Sequence, residues 1–251
     1  MHYWLHAVDE HSLQAPFVYQ LYQEVIKPDQ RLPIFEEIER QRRALLNLQT
    51  SIDTTTLGAP SRVNSAPSQT ISEIARTSLS SPKFGRLLFR LVTFSSAQYI
   101  VELGTSLGIT TLYMSAAPCV QQLITLEGNS EVATVAQQQF ERWPKSNIRL
   151  VMGNIDDTLQ SIISQLPQLD LAYLDANHRY APTMHYFEQL LTKVHEKSII
   201  IIDDIYWSRE MKEAWKAIKN HPAVTLSVDI FDAGLVFFRP LRIKQHYVLS
   251  F

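Results

Sequence analysis

YIVELGTSLGITTLYMS, residues 99–115, is the stretch that decides the fold. Its first five residues form an apolar run broken by one acid, Glu102. A turn carrying Gly104 and Gly108 follows, and a helical pattern begins at once. An apolar run without polar alternation suits a strand buried on both faces, as in a parallel sheet covered by helices. The same unit recurs outward along the chain. QLITLE (122–127), IRLVM (148–152), LDLAYLD (169–175) and SIIIID (198–203) read as strands, with helices expected near 107–116, 130–142, 156–165 and 182–193. Strands alternating with helices in this way predict an α/β fold with helices on both sheet faces.

Downstream, SREMKEAWKAIKN (208–220) predicts a helix with Ser208 as its N-cap and Met211, Trp215 and Ile218 on one face. VTLSVDIF-DAG-LVFFRP (224–240) reads as an antiparallel hairpin around a short Asp/Gly turn. Five parallel strands and this hairpin give a seven-stranded, mostly parallel sheet in a three-layer α/β/α sandwich. Upstream, Phe17, Val18, Leu21, Tyr22 and Val25, then Phe35, Ile38, Leu45 and Leu48, recur at helical spacing, and further helices are expected over 70–80 and 83–94. Between them SIDTTTLGAPSRVNSAPSQ (51–69) is rich in Ser, Thr, Pro and Asn and reads as a loop, of a length that suits either a mobile lid or plain disorder. The division expected is a helical extension with its loop over 1–69 and the main domain over 70–251. Apolar Tyr3, Trp4, Phe17 and Tyr22 suit either a cap over a site or a homodimer interface.

Composition narrows the partners. The 251 residues are 45% hydrophobic, enough for a sizeable core, and the net charge of −2 offers no basic stripe for a polyanion, which disfavours a nucleic-acid substrate. A single cysteine, Cys119, excludes an intramolecular disulfide and a cysteine-held zinc site. MHYWLHAVDEHS lacks the basic-then-apolar order of a signal peptide, and no apolar run approaches the ~20 residues of a membrane helix. A cytoplasmic location is the expectation.

The turn after the first strand, Glu102-Leu-Gly104-Thr105-Ser106-Leu-Gly108, lets a ligand lie against bare backbone. Its ExGxxxG spacing departs from the GxGxxG of nicotinamide binders, so an oxidoreductase is the weakest rival. The second strand ends in Glu127-Gly128, and a carboxylate at that position is suited to the two hydroxyls of a ribose. The third ends in Gly153-Asn154-Ile155, where Asn154 either meets an adenine edge or caps the following helix.

With these motifs in place, residues 82–240 resemble class I SAM-dependent methyltransferases of the catechol and caffeoyl-CoA O-methyltransferase-like group. KFGRLLFRLV, VELGTSLGITTLYMS, TLEGN, LDANHRY and IIIIDDIYW carry the resemblance in order, and VTLSVDIFDAGLVFFR matches the closing hairpin. It implies a Rossmann-like domain that binds S-adenosyl-L-methionine. Glu102 and Gly104, within a turn that includes Thr105, Ser106 and Gly108, would then face the methionine part. Glu127 and Gly128 would meet the ribose, Asn154 and Ile155 the adenine, and Asp175 would complete the cofactor contacts.

Two further strand ends carry acids, Asp175 and the pair Asp203-Asp204. Adjacent parallel strands would bring three carboxylates to one crevice, where mutual repulsion calls for a counter-charge. A hard cation such as Mg²⁺ is bound through carboxylate oxygens and acidifies a bound hydroxyl. In the resembled family an Asp and an Asp-Asn pair hold the metal; Asp204 stands here in place of the Asn. Where the catecholic enzymes have a Lys as general base, this chain has His178, whose ordinary pKa near 6.5 suits proton abstraction. Tyr206 and Trp207 suit an aromatic wall, and His185 a surface or packing role. Three readings compete. They are a Mg²⁺-dependent O-methyltransferase of a small hydroxylated molecule, a metal-free N- or O-methyltransferase working through Asp175 and His178, and a SAM-binding interaction protein without catalysis.

Overall fold

The computed structural model describes residues 15–28, 31–55 and 68–251. Its main sheet holds β3 (Tyr99–Leu103), β4 (Gln122–Glu127), β5 (Ile148–Met152), β6 (Leu169–Leu174), β7 (Val194–Asp203), β8 (Leu226–Asp229), β9 (Ala233–Phe237) and β10 (Gln245–Val248). They lie in the order β10-β8-β9-β7-β6-β3-β4-β5. From β3 the chain builds outward through β4 and β5, then returns to β6 and builds the other way. β3 and β6 are therefore parallel neighbours, with Ile100 opposite Leu171 and Leu103 opposite Leu174. Where the strand order reverses, the connections leave in opposite directions and a crevice opens beyond the carboxyl ends. β9 is antiparallel to both β7 and β8, as the expected hairpin requires.

The helices are α1 (Pro16–Leu21, continued by a π-helical turn over Tyr22–Ile26), α2 (Pro33–Asn47), α3 (Ile71–Ser78), α4 (Pro82–Ser95), α5 (Ile109–Ser115), α6 (Ser130–Glu141), α7 (Ile155–Gln165), α8 (Tyr180–Leu191) and α9 (Arg209–Asn220). Local chemistry sets their starts. Ser81 accepts from the Phe84 N–H and Pro82 opens α4; Thr70 and Glu73 form a reciprocal capping box on α3; Ser208 accepts from the Met211 N–H, as expected for α9. Each such cap contributes about 1 kcal/mol.

Two apolar clusters make the three layers. One sheet face carries Leu171, Tyr173, Ile199 and Leu235 against Leu87, Leu88 and Leu112. The other carries Ala172 and Ile200 against Leu159, Phe187, Trp215 and Ile218 of α7, α8 and α9. The described part of the N-terminal extension belongs to the first cluster, through Val18, Leu21, Val25, Phe35, Ile38 and Leu45. Phe35 meets Phe89 edge-on at 5.0 Å, and the Arg90 Nε donates to the Val25 carbonyl at 2.6 Å. Phe17 packs against Phe94 and Phe237 and is partly buried, and Tyr22 is buried. Tyr3 and Trp4 lie outside the described residues. Among the described residues no helix is long and apolar enough to cross a membrane.

The structure departs from expectation at three places. The sheet has an eighth strand, since β10 runs parallel to β8 with Gln245 opposite Leu226. This edge strand is short and half-exposed and follows a charged, Pro-containing stretch, so it lacks the buried apolar run that marks the others. Part of the segment read as a loop forms a small antiparallel pair, β1 (Ser51–Asp53) with β2 (Ser68–Thr70). Three-residue strands are too short to show a period. Residues 56–67 of that segment lie outside the described residues. Finally, β7 begins at Val194, ahead of the apolar SIIIID run.

Candidate active site

The crevice begins at Gly104. Its φ is +94°, its N–H donates to the Leu126 carbonyl at 3.0 Å, and a Cβ there would lie 2.1 Å from the Asp175 carbonyl oxygen. Only glycine lets the exit of β3 pass this close to the exit of β6. The chain then turns through Ser106, also at positive φ, whose N–H donates to Glu127 Oε2 at 2.9 Å. The Asn129 N–H donates to Glu127 Oε1 at 2.9 Å. Two backbone amides thus hold the Glu127 carboxylate at the end of β4. Burial pushes its pKa up, and bonds from the Asn129, Ser106 and Gly128 amides oppose that shift. Gly104, Glu127, Gly128, Asn154, Ile155 and Asp175 line a cavity of about 520 Å³.

Some residues of the motif build this cavity without lining it. Glu102 is fully buried, and the hydroxyls of Thr110, Thr111 and Thr125 donate to its carboxylate. Burial pushes its pKa up to about 7 against those three bonds. Thr105 pairs with Thr125 at 2.6 Å, and Gly108 starts α5 at φ +84°. Glu102, Thr105 and Gly108 therefore brace the turn from beneath. Asn154 does both jobs: it lines the cavity, and its Oδ1 accepts from the Asp156 N–H at 3.1 Å to cap α7.

A second cavity of about 670 Å³ adjoins the first, and the two share Asp175, Asn177, His178 and Arg179. Asp203, Asp204 and Trp207 enter it from the end of β7, Asp232 from the hairpin turn, and Ser80 and Phe84 from the α3–α4 connection and α4. His178 lies between two carboxylates, Nε2 3.5 Å from Asp175 Oδ1 and Nδ1 3.8 Å from Asp204 Oδ2. Tyr173, buried in β6, donates its hydroxyl to Asp203 Oδ2 at 2.8 Å and to Asp175 Oδ2 at 3.2 Å. Burial first, then the neighbouring acids, raises Asp175 to about 7 and Asp203 well above the usual carboxylate range. Burial also raises Asp204, which His178 partly offsets. Asn177, His178 and Asp204 all hold positive φ, at 67°, 35° and 54°. Backbone strain of this kind persists where surrounding structure enforces it, and it clusters at functional sites.

The three acids expected at the strand ends thus face one cavity with His178. Among the described residues, however, no group of three His, Cys, Asp or Glu side chains is already arranged to hold a metal ion. Of the aromatic pair, Trp207 lines the cavity, whereas Tyr206 donates to Asp229 and leans on Phe231. His185 is exposed and bonds Gln189, away from the cavities. Sequence reading missed Tyr173, Asn177, Arg179, Asp232 and the Ser78–Ser81 wall. A tyrosine two residues before Asp175 in a buried strand was the available signal for the first, and Asn177 and Arg179 flank His178 in LDANHRY; Asp232 and the serine wall reach the site by tertiary packing.

Comparisons with known proteins converge on this region. Residues 101–205 match the model of a family described as a methyltransferase domain. A catechol O-methyltransferase of Niastella koreensis is 29% identical over 144 residues, covering 56% of this chain and 64% of that protein. A transmembrane O-methyltransferase homolog of Mus musculus is 30% identical over 104 residues, covering 39% of this chain and 40% of that protein. The matches therefore span less than two-thirds of either relative. Among solved structures, the SAH complex of an O-methyltransferase from Bacillus cereus superimposes with a TM-score of 0.57 at 20% identity, covering 88% of this chain and 96% of that one. A SAH-bound methyltransferase from Podospora anserina gives 0.62 at 13% identity, covering 91% and 97%. These likenesses establish the fold.

Proposed function

We propose, from the premise that this chain belongs to the class I methyltransferases, that it methylates a hydroxyl oxygen of a small acceptor molecule, using SAM. The observation that carries this reading is the pair of adjoining cavities sharing the 175–179 loop, one with a ribose-type carboxylate and the other with His178 and three aspartates. The names of the relatives fit it: a catechol O-methyltransferase by sequence and SAH-bound methyltransferases by fold.

SAM, when bound, supplies an electrophilic methyl group on a sulfonium. The protein supplies the rest. Glu127 accepts from the ribose hydroxyls while backbone amides fix its position. Gly104 leaves room for the methionine part beside Asp175. His178 accepts the acceptor's hydroxyl proton at a ring nitrogen, and Asp175 at 3.5 Å stabilises the imidazolium that results. Residues 70–251 hold this machinery, and the described part of the extension packs into the core beneath it.

Divalent-metal dependence is the finer part of the proposal. The donor set fits a hard cation: three carboxylates, with Asp175 raised by burial, Asp204 and Glu102, and Asp203 raised by burial, Asp175 and Asp204, are what a positive charge would relieve. Asp175, Asp203 and Asp204 would hold it, Asp204 turning from His178 to do so, and a bound Mg²⁺ would acidify and orient the acceptor hydroxyl. A metal-free route has its own support, since His178 already sits between two carboxylates.

The test is SAH formation from SAM over a panel of catechols, polyols and amines, with and without EDTA. Production with a hydroxylated acceptor that stops in EDTA supports the whole reading. Production that survives EDTA leaves the methyl transfer and removes the metal. SAM binding with no product over the panel returns the chain to a binding role.

A further inference from the structure

Tyr173 is a buried polar side chain in direct contact with two of the site's carboxylates, and neither reading uses it. It is fully buried in β6, two residues before Asp175, so both side chains project from the same sheet face. Asp203 ends β7, the strand paired alongside, where Tyr173 lies opposite Ile201. That register places one phenol beneath two carboxylates from two strands. Its hydroxyl reaches Asp203 Oδ2 at 2.8 Å and Asp175 Oδ2 at 3.2 Å, while Asp175 Oδ1 is directed to His178. The rest of the ring packs in the apolar cluster, 6.1 Å from the Phe84 ring, so the phenol cannot swing away from the acids.

An apolar side chain would fill this strand position at no polar cost, because a buried hydroxyl must be paired to be tolerated. Here the two acids accept from it, and the Ser80 side chain also bonds to it. We infer that Tyr173 is a positioning residue, whose hydroxyl fixes the mutual placement of Asp175 and Asp203 and so sets the geometry with which the pair receives a divalent cation. This rests on the metal-assisted reading above. Groups one step behind metal ligands orient them, and their loss typically weakens metal binding by about 10–100-fold.

The experiment uses Tyr173→Phe, which keeps the ring and removes only the hydroxyl. Mn²⁺ alone is titrated into the full chain and read by electron paramagnetic resonance of the free ion; SAH is titrated separately by calorimetry. The inference expects Mn²⁺ affinity to fall at least tenfold with SAH affinity within twofold of wild type, a split that general destabilisation would not produce. Equal Mn²⁺ affinity in the two proteins overturns it. Should the wild-type chain bind no Mn²⁺, the metal reading falls, and a double-mutant cycle in urea decides the inference by itself. The unfolding midpoints of Tyr173→Phe, Asp203→Ala and the double variant are then compared without added metal. A double variant less destabilised than the two singles together supports the coupling of phenol and carboxylates. Additive shifts refute it.

Discussion

Gly104→Ala tests whether the crevice depends on the close passage of two strand exits. The structure gives two costs. Alanine must adopt φ near +94°, which costs an L-residue about 1–2 kcal/mol. Its Cβ would also lie 2.1 Å from the Asp175 carbonyl oxygen, so backbone must move by more than an ångström to reach ordinary contact. Forced repacking of that kind costs about 1–3 kcal/mol. The combined loss is about 2–5 kcal/mol, or a fall in Tm of roughly 5–15 °C for a chain of this size. Because the atom displaced belongs to Asp175, SAH affinity should fall at least tenfold by calorimetry. Gly153→Ala is the control. It also forces a positive φ, +133°, but its Cβ would meet only the Thr158 Cγ2 at 3.3 Å, so it should show the backbone cost alone. If Gly104→Ala melted no lower than Gly153→Ala and bound SAH within twofold of wild type, the reasoning about the crevice would be refuted.

Four other outcomes are expected. Glu127→Ala should weaken SAH binding about 10–100-fold by calorimetry, the loss of hydrogen bonds to a charged group, with turnover largely restored at saturating SAM. Asp203→Ala should abolish SAH formation while SAH still binds; retention of full rate on a true acceptor would remove Asp203 from the reaction. His178→Gln should lower turnover about 10²–10⁴-fold with cofactor binding retained, and equal rates would dismiss the base role. For pH, the buried Glu102 is raised to about 7 from an unfolded value near 4.5. The folded state then holds the extra proton, so this group's contribution is full below pH 4.5 and is lost as pH rises through 7. That amounts to roughly 3 kcal/mol. Urea midpoints of the wild type should therefore decline between pH 5 and 8 more steeply than those of Glu102→Gln, and parallel profiles would contradict the assignment.

What could be read from the sequence follows from how each signal is encoded. The central strands were legible because burial on both faces forces apolar runs, as in Leu171–Leu174 and Ile199–Ile202. Their carboxyl ends then placed Gly104, Glu127, Asp175 and Asp203 without any tertiary information. The Ser208 cap was legible because capping is local. Glu102 was harder: an acid in a ligand-binding turn reads as facing the ligand, yet three threonine hydroxyls brought together by packing draw it inward. Asn154 carried two roles that one residue type cannot distinguish. β10 left little trace, because an edge strand buries too little to impose a pattern. The Ser78–Ser81 wall and Asp232 come from segments distant in sequence from the motifs and meet them only after α4 docks and the hairpin closes.

If the chain methylates a small acceptor as proposed, α4 has a consequence for how acceptor preference changes over time. Ser81 and Phe84 face the larger chamber, Ser81 also secures the first turn of the helix, and a few residues later Leu87, Leu88 and Leu91 anchor the same rod in the interior. Replacing Ser81 to reshape the chamber would fray the rod's leading end, so novelty there carries a mechanical penalty. Asp232, exposed on the hairpin turn, uses its backbone to hold Asp204 and Ile230, but its side chain caps no helix. Drift toward new acceptors should therefore accumulate on the hairpin side first, with the helical side yielding only after compensating changes beneath it.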